Sequence, residues 1–159
     1  MSEVIAQSTS VEEKAQYKYL IFRVGSQFFG SPLEEITEVV EPFEITPSPN
    51  SPKEFLGMIN LRGEIISVID LRVVLGQKVE RSPKMLMIII GTENGKTAIL
   101  VDELVEVHDF VAADIDSNPN LKSSIPKDSL IAVGKYRSKV VYLVRLEVLL
   151  GHGINREVV

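Results

Sequence analysis

FLGMINLRGEIISVIDLR, residues 55–72, places two apolar runs on either side of Arg62-Gly63-Glu64. The runs are rich in Ile, Leu, Val and Met, and the residues between them are polar around a glycine, so the stretch reads as strand, tight turn, strand. Asp70 stands where a side-chain oxygen can cap a short helix, and Gly76 is the usual residue just past a helix end. The tip of the turn is a cation, in a chain whose formal net charge is -5.

Outward from this hairpin the same grammar continues. Toward the N-terminus, Leu20, Phe22 and Val24 alternate with Ile21 and Arg23, and Gly25-Ser26-Gln27 interrupts before Phe28-Phe29, which predicts another hairpin. PLEEITEVVE, residues 32–41, opens with proline and predicts a turn of helix running into a strand. PFEITPSPNSP, residues 42–52, holds four prolines and predicts a stiff extended connection, which explains its PxxP spacing without any SH3 partner. Toward the C-terminus, MLMIII (85–90) and KTAILVD (96–102) flank Asn94-Gly95, a strong hairpin cue. The polar stretch 109–128, with Pro119 and Pro126, reads as a long connection. LIAVGKYRSKVVYLV, residues 130–144, is a last hairpin leading into RLEVLLG. Residues 1–16 and 152–159 read as tails.

The chain also repeats itself. IISVIDLRVVLG (65–76) laid over VVYLVRLEVLLG (140–151) sets apolar opposite apolar, Gly76 opposite Gly151, and Arg62 opposite Arg137. ITEVVE (36–41) laid over LVEVHD (104–109) sets Glu38 opposite Glu106. Two halves, about 17–76 and 85–151, are therefore expected to share one small all-β topology. A half of this size has too little core to stand comfortably alone, so the halves should pack together, each as a closed or nearly closed barrel, with a groove between them. An exchange of strands between the halves stays open at this point.

Composition narrows the function. The chain has 159 residues, 45% of them hydrophobic and 25% charged, which suits a globular fold. Its acidic balance argues against a nucleic-acid surface built on dense Lys and Arg. It has no cysteine and two distant histidines, His108 and His152, so thiol chemistry and a His/Cys metal site are not expected. The N-terminus lacks the pattern of a secretory signal, and no apolar run is long enough for a membrane helix. The Gly95-Lys96-Thr97 triplet lacks the upstream glycine and following helix of a phosphate loop, and reads as a hairpin turn. No nucleophile motif appears, and Glu34, Glu35, Glu38 and Glu41 read as a solvated acidic edge. For Arg62, physics alone leaves two readings open: an ordinary turn residue, or a contact residue whose planar fork binds carboxylates.

FLGMINLRGEIISVIDLR closely resembles the central motif of the CheW-like chemotaxis coupling proteins. The resemblance extends through ITEVVE and ITPSPNSPKEFLG on one side and ILVDELVEV on the other, covering residues 17–151. It implies an all-β fold with a few short helices, built of two similar five-stranded SH3-like β-barrels packed together. It also implies no catalysis and no cofactor. Proteins of this family are adaptors that hold the histidine kinase CheA, through its own CheW-like regulatory domain, to the cytoplasmic hairpin tips of methyl-accepting receptors; they are cytoplasmic and are recruited to membrane receptor arrays.

Carried over by motif, Arg62 and Glu38 are the charged pair of the receptor-facing surface, with Ile36, Gly57, Leu86 and Val107 as apolar or close-approach positions beside them. The receptor tip is expected in the groove between barrels, and the kinase on a different surface. Two residues depart from the pattern: Ser67 where many relatives place proline, and Arg145 where Asp is common before the last helix. A scaffold of a pilus-motility or other non-flagellar chemosensory pathway would carry the same surface. A small ligand-binding or hydrolytic β-barrel is the reading from a different class.

Overall fold

The computed structural model describes residues 18–42, 44–80, 83–93, 95–117 and 125–151, so both expected tails, Asn94 and Pro119 lie outside the described residues. Eleven strands are formed: β1 (Lys18–Val24), β2 (Gln27–Pro32), β3 (Ile36–Val40), β4 (Phe55–Leu61), β5 (Glu64–Asp70), β6 (Leu86–Thr92), β7 (Gly95–Val101), β8 (Glu103–Asp109), β9 (Ile115–Asp116), β10 (Leu130–Tyr136) and β11 (Lys139–Val144). A single 3-10 turn, Leu33–Glu35, leads into β3, as the PLEEITEVVE pattern predicts. The stretch 109–128 is more than a connection, because it contains a second 3-10 turn, Ala112–Asp114, and the two-residue β9.

The helix α1 (Leu71–Val74) follows β5 with its predicted caps. The Asp70 carboxylate accepts from the Arg72 amide, and at the far end Gln77 N donates to Arg72 O at 2.8 Å while Gly76 N donates to Val73 O at 3.1 Å. Those two bonds close the helix in a Schellman arrangement. The second copy, residues 146–151, is also helical, but Arg145 stands where Asp70 stands in the first and has no side-chain acceptor to offer.

The strands form two sheets that do not follow the halves of the sequence. The six-stranded sheet has the order β8-β1-β2-β11-β10-β9, and the five-stranded sheet has the order β3-β6-β7-β5-β4. Hairpin β1–β2 thus lies in the sheet of the second half and hairpin β6–β7 in the sheet of the first. The insertions are equivalent: β2 runs parallel to β11, and β7 runs parallel to β5. Reading along the sheets, β3, β6, β7, β5 and β4 correspond to β8, β1, β2, β11 and β10, with β9 an added edge on the second set.

This exchange explains the apolar runs that carry no alternation. Leu20, Phe22, Val24, Phe29, Ile88, Ile90, Ile99 and Val101 point into one core shared by the two sheets. Their neighbours on the same strands point the other way: Met87, Ile89, Ala98 and Leu100 into a core lined by Ile59, Leu61, Ile66 and Val68, and Tyr19 and Ile21 into a third with Phe110, Val141 and Leu143. A strand buried on both faces must be apolar throughout, which is why MLMIII has no polar side. Phe22 and Phe29, both fully buried, stack with centroids 6.1 Å apart in the shared core. Burying each such ring contributes roughly 1.5–3 kcal/mol.

Candidate functional site

The turn between β4 and β5 has two residues, Arg62 and Gly63, with φ of 51° and 84°. Positive φ at both central positions is the twist that a two-residue hairpin requires, and glycine takes the second without steric cost. Asn60 stabilises the tip by accepting a 2.9 Å bond from the Gly63 amide on its side-chain oxygen. The turn therefore presents Arg62 at a fixed point, with its side chain 71% exposed.

Glu38 meets it from β3. The Arg62 guanidinium donates through Nη1 to Glu38 Oε1 at 2.9 Å and through Nη2 to Oε2 at 3.0 Å, a two-pronged pairing that a lysine could not reproduce. The hydrogen bond from Arg62 holds the Glu38 carboxyl below the usual carboxylate range, and the same bond raises Arg62. Strands β3 and β4 are opposite edges of the five-stranded sheet, so this pair spans the gap of a sheet curled on itself. Beside it, Thr46 and Met58 exchange backbone bonds of 2.8 and 2.9 Å, tying the segment after β3 to β4.

Gly57 belongs to this closure. Its φ is 140°, and a Cβ built there would stand 2.0 Å from the Thr46 carbonyl oxygen, so only glycine allows the two backbones to approach. Ile36 sits two residues before Glu38, but the register shifts between them. Ile36 packs against the core shared by the sheets. Leu86 is half-buried at the start of β6, opposite Val101. Val107 is 49% exposed on β8, in the other sheet. Among the described residues no hydrogen bond or ion pair joins Gly57, Leu86 or Val107 to the Arg62–Glu38 pair; of the six expected residues, those two are brought into direct contact.

Met58 and Ile65, on the outward face of the β4–β5 hairpin, are 41% and 62% exposed. The apolar run behind Arg62 predicts Ile65 in the core with Ile66, Val68 and Ile69; instead Ile65, like Met58, occupies the outward phase of strands whose inward phase, Ile59, Leu61, Ile66 and Val68, is buried. Between the two sheets lies the core they share. The largest cleft described has a mixed polar lining and includes none of the six residues.

A second site feature escaped the sequence. Arg72, 4% exposed, donates through Nε and Nη2 to the Asp70 carboxylate at 3.0 Å each, through Nη1 to Asp102 Oδ1 at 3.3 Å, and to the Glu80 carbonyl. Asp102 in turn accepts from the Gly25 amide at 2.6 Å. The VIDLR motif thus holds α1, the β1–β2 turn and the β7–β8 junction together where the two sheets meet. Its role is structural.

Residues 18–153 match the family model described as the CheW-like domain. The chain belongs to the CheW-like family. It is 28% identical to the chemotaxis protein CheW of Helicobacter pylori over 149 residues, covering 93% of this chain and 90% of that one. It is 27% identical to the chemotaxis protein CheW of Thermotoga maritima, with 85% and 89% covered. Among solved structures it is similar to the scaffolding protein TtCheW of Thermoanaerobacter tengcongensis, with a TM-score of 0.75, 29% identity, and coverage of 84% of this chain and 87% of that chain. The two packed, mostly β sheets of this CheW-like chain thus agree with the architecture expected from the resemblance. Among the described residues, no helix is long and apolar enough to cross a membrane.

Proposed function

We propose that this CheW-like chain is a non-catalytic scaffold of chemosensory signalling, which couples the cytoplasmic hairpin tips of methyl-accepting receptors to the regulatory domain of the histidine kinase CheA. The observation that carries this reading is the Arg62–Glu38 pair: an exposed guanidinium, fixed in direction by a two-pronged bond, at the tip of a rigid turn. A surface charge pair adds little to folding, so a geometry this defined serves recognition better than stability. Met58 and Ile65 supply exposed apolar area on the same hairpin for an amphipathic helical partner. The names of the similar proteins, chemotaxis protein CheW and scaffolding protein TtCheW, support the same role.

In this reading Arg62 and Glu38 face the receptor, Ile36, Leu86 and Val107 support or flank that contact, and Gly57 shapes the strand behind it. The protein works in the cytoplasm, recruited to receptor arrays at the membrane. The test is reconstitution: receptor-bearing membranes, CheA and this protein are combined, and sedimentation and CheA autophosphorylation are followed. The reading requires that CheA join the membrane pellet, with raised autophosphorylation, only when the protein is added. CheA that sediments and fires equally without it would overturn the proposal.

A further inference from the structure

Away from the Arg62 surface, the proline-rich connection, the ends of β5 and β7 and the last helical residues enclose a cleft of about 730 Å³. Its apolar surfaces are Phe55, Ile69 and Leu150, and Ser67 and Thr97, opposite each other in the parallel β5–β7 pair, add hydroxyls. Pro49 and Pro52 stiffen one wall, so the space exists before any ligand arrives.

Glu54 lines this cleft and is 7% exposed, and its Oε1 is buried without a hydrogen-bond partner among the described residues. The backbone around it is fixed, since Glu54 O accepts from Asp70 N at 2.8 Å and Phe55 N donates to Pro52 O at 3.1 Å. A buried carboxylate oxygen without a donor is costly, and proteins retain such a group where something completes it. Lys96, the one cation of the lining among the described residues, is engaged by Glu64 at 3.1 Å, whereas Glu93 and Glu147 add negative charge around the mouth. Among the described residues there is no cluster of ligands suited to a metal ion.

We infer that this cleft binds a small organic cation, an alkylammonium or alkylguanidinium group whose charged head bonds to the Glu54 carboxylate and whose short apolar stem lies against Phe55, Ile69 and Leu150. An anion meets the wrong charge, and a neutral alcohol fills the apolar part without answering Glu54. Binding here is independent of the receptor surface, because none of the six residues assigned to that surface lines the cleft.

The test is an NMR titration of the whole protein with n-butylguanidinium and n-butylammonium chloride, with n-butanol and sodium chloride as controls. Saturable shifts of the Glu54, Phe55, Ser67 and Thr97 amides are expected with the two cations and not with the controls. Affinity should fall about tenfold or more in Glu54→Gln, which keeps the shape and removes the charge. The exposed rim substitution Glu147→Lys, which does not touch the core, should weaken binding about threefold or more and decides the matter if Glu54→Gln does not fold. Shifts that do not saturate, equal binding of n-butanol, or undiminished affinity in folded Glu54→Gln and Glu147→Lys would each overturn the inference.

Discussion

Arg137 stands to Glu106 as Arg62 stands to Glu38. Each arginine sits at the tip of the turn that precedes a helix-leading strand, with φ of 46° and 51°, and each glutamate lies on the edge strand that closes the curl of its sheet. The two pairs differ in grip: Arg62 holds both oxygens of Glu38 at 2.9 and 3.0 Å, whereas Arg137 Nη2 lies 3.9 Å from Glu106 Oε2 and the guanidinium rests over the Tyr136 ring at 5.2 Å. One inherited device has thus become a directed pair in one sheet and a loose one in the other.

That difference yields the first prediction. Arg62→Lys keeps the charge and loses the fork, so it should weaken receptor-hairpin binding nearly as much as Arg62→Ala, about tenfold. Arg137→Ala should leave receptor binding within about twofold of wild type. Both arginine deletions should move the melting temperature by no more than about 3 °C, since exposed pairs contribute little to folding. Calorimetric titration with a receptor hairpin fragment and a thermal melt measure the two quantities.

Acid titration separates two glutamates by sign. Glu38 is held below the ordinary 4.5 by the hydrogen bond from Arg62, so its stabilising contribution is present above 4.5 and is lost as pH falls through its folded value. Glu35 is raised above 4.5 by burial, which the charge and hydrogen bond of Arg145 only partly offset. Its contribution is therefore complete below 4.5 and lost as pH rises through its folded value. Carboxyl carbon shifts followed by NMR should show Glu38 titrating below 4.5 and moving up in Arg62→Ala. Glu35 should titrate above 4.5 and move further up in Arg145→Ala.

The buried Arg72 network predicts a large stability effect with no effect on recognition chemistry. Arg72→Met strands the Asp70 and Asp102 carboxylates without their cation and should cost about 3–5 kcal/mol in urea unfolding. Replacing all three by apolar residues should recover part of the loss.

Gly57 tests the difference between a contact residue and a shaping one. Gly57→Ala forces a Cβ against the Thr46 carbonyl at a φ that other residues rarely adopt, and should destabilise by about 2 kcal/mol or more. Its melting temperature should fall well beyond that of Arg62→Ala in the same buffer.

Much of this fold is legible in residues that alternate or turn: the β4–β5 hairpin, the Asp70 and Gly76 caps, and the repeat that sets Arg62 opposite Arg137. What the pattern cannot say is which hairpin neighbours which. Phe22 and Ile99 meet in one core because hairpins β1–β2 and β6–β7 are exchanged, and local periodicity is the same whether they are or not. The two residues of β9 are too few to show a period, and Asp102 reaches Arg72 from 30 positions away, beyond any local motif. The Arg62–Glu38 contact is implied by the family resemblance, not by any local pattern. The repeat, which sets Arg137 opposite Arg62 and Glu106 opposite Glu38, is the physical clue that the two arginine turns and the two acidic strands belong together.

The most direct test of the central claim is a co-sedimentation of wild type and folded Arg62→Ala protein with two partners measured separately, the receptor cytoplasmic hairpin and the CheA regulatory domain. The account predicts that wild type binds both and that Arg62→Ala keeps the kinase domain while losing the receptor. Receptor binding that survives intact in Arg62→Ala, or a variant that loses both partners while its fold and melting temperature are unchanged, would contradict it.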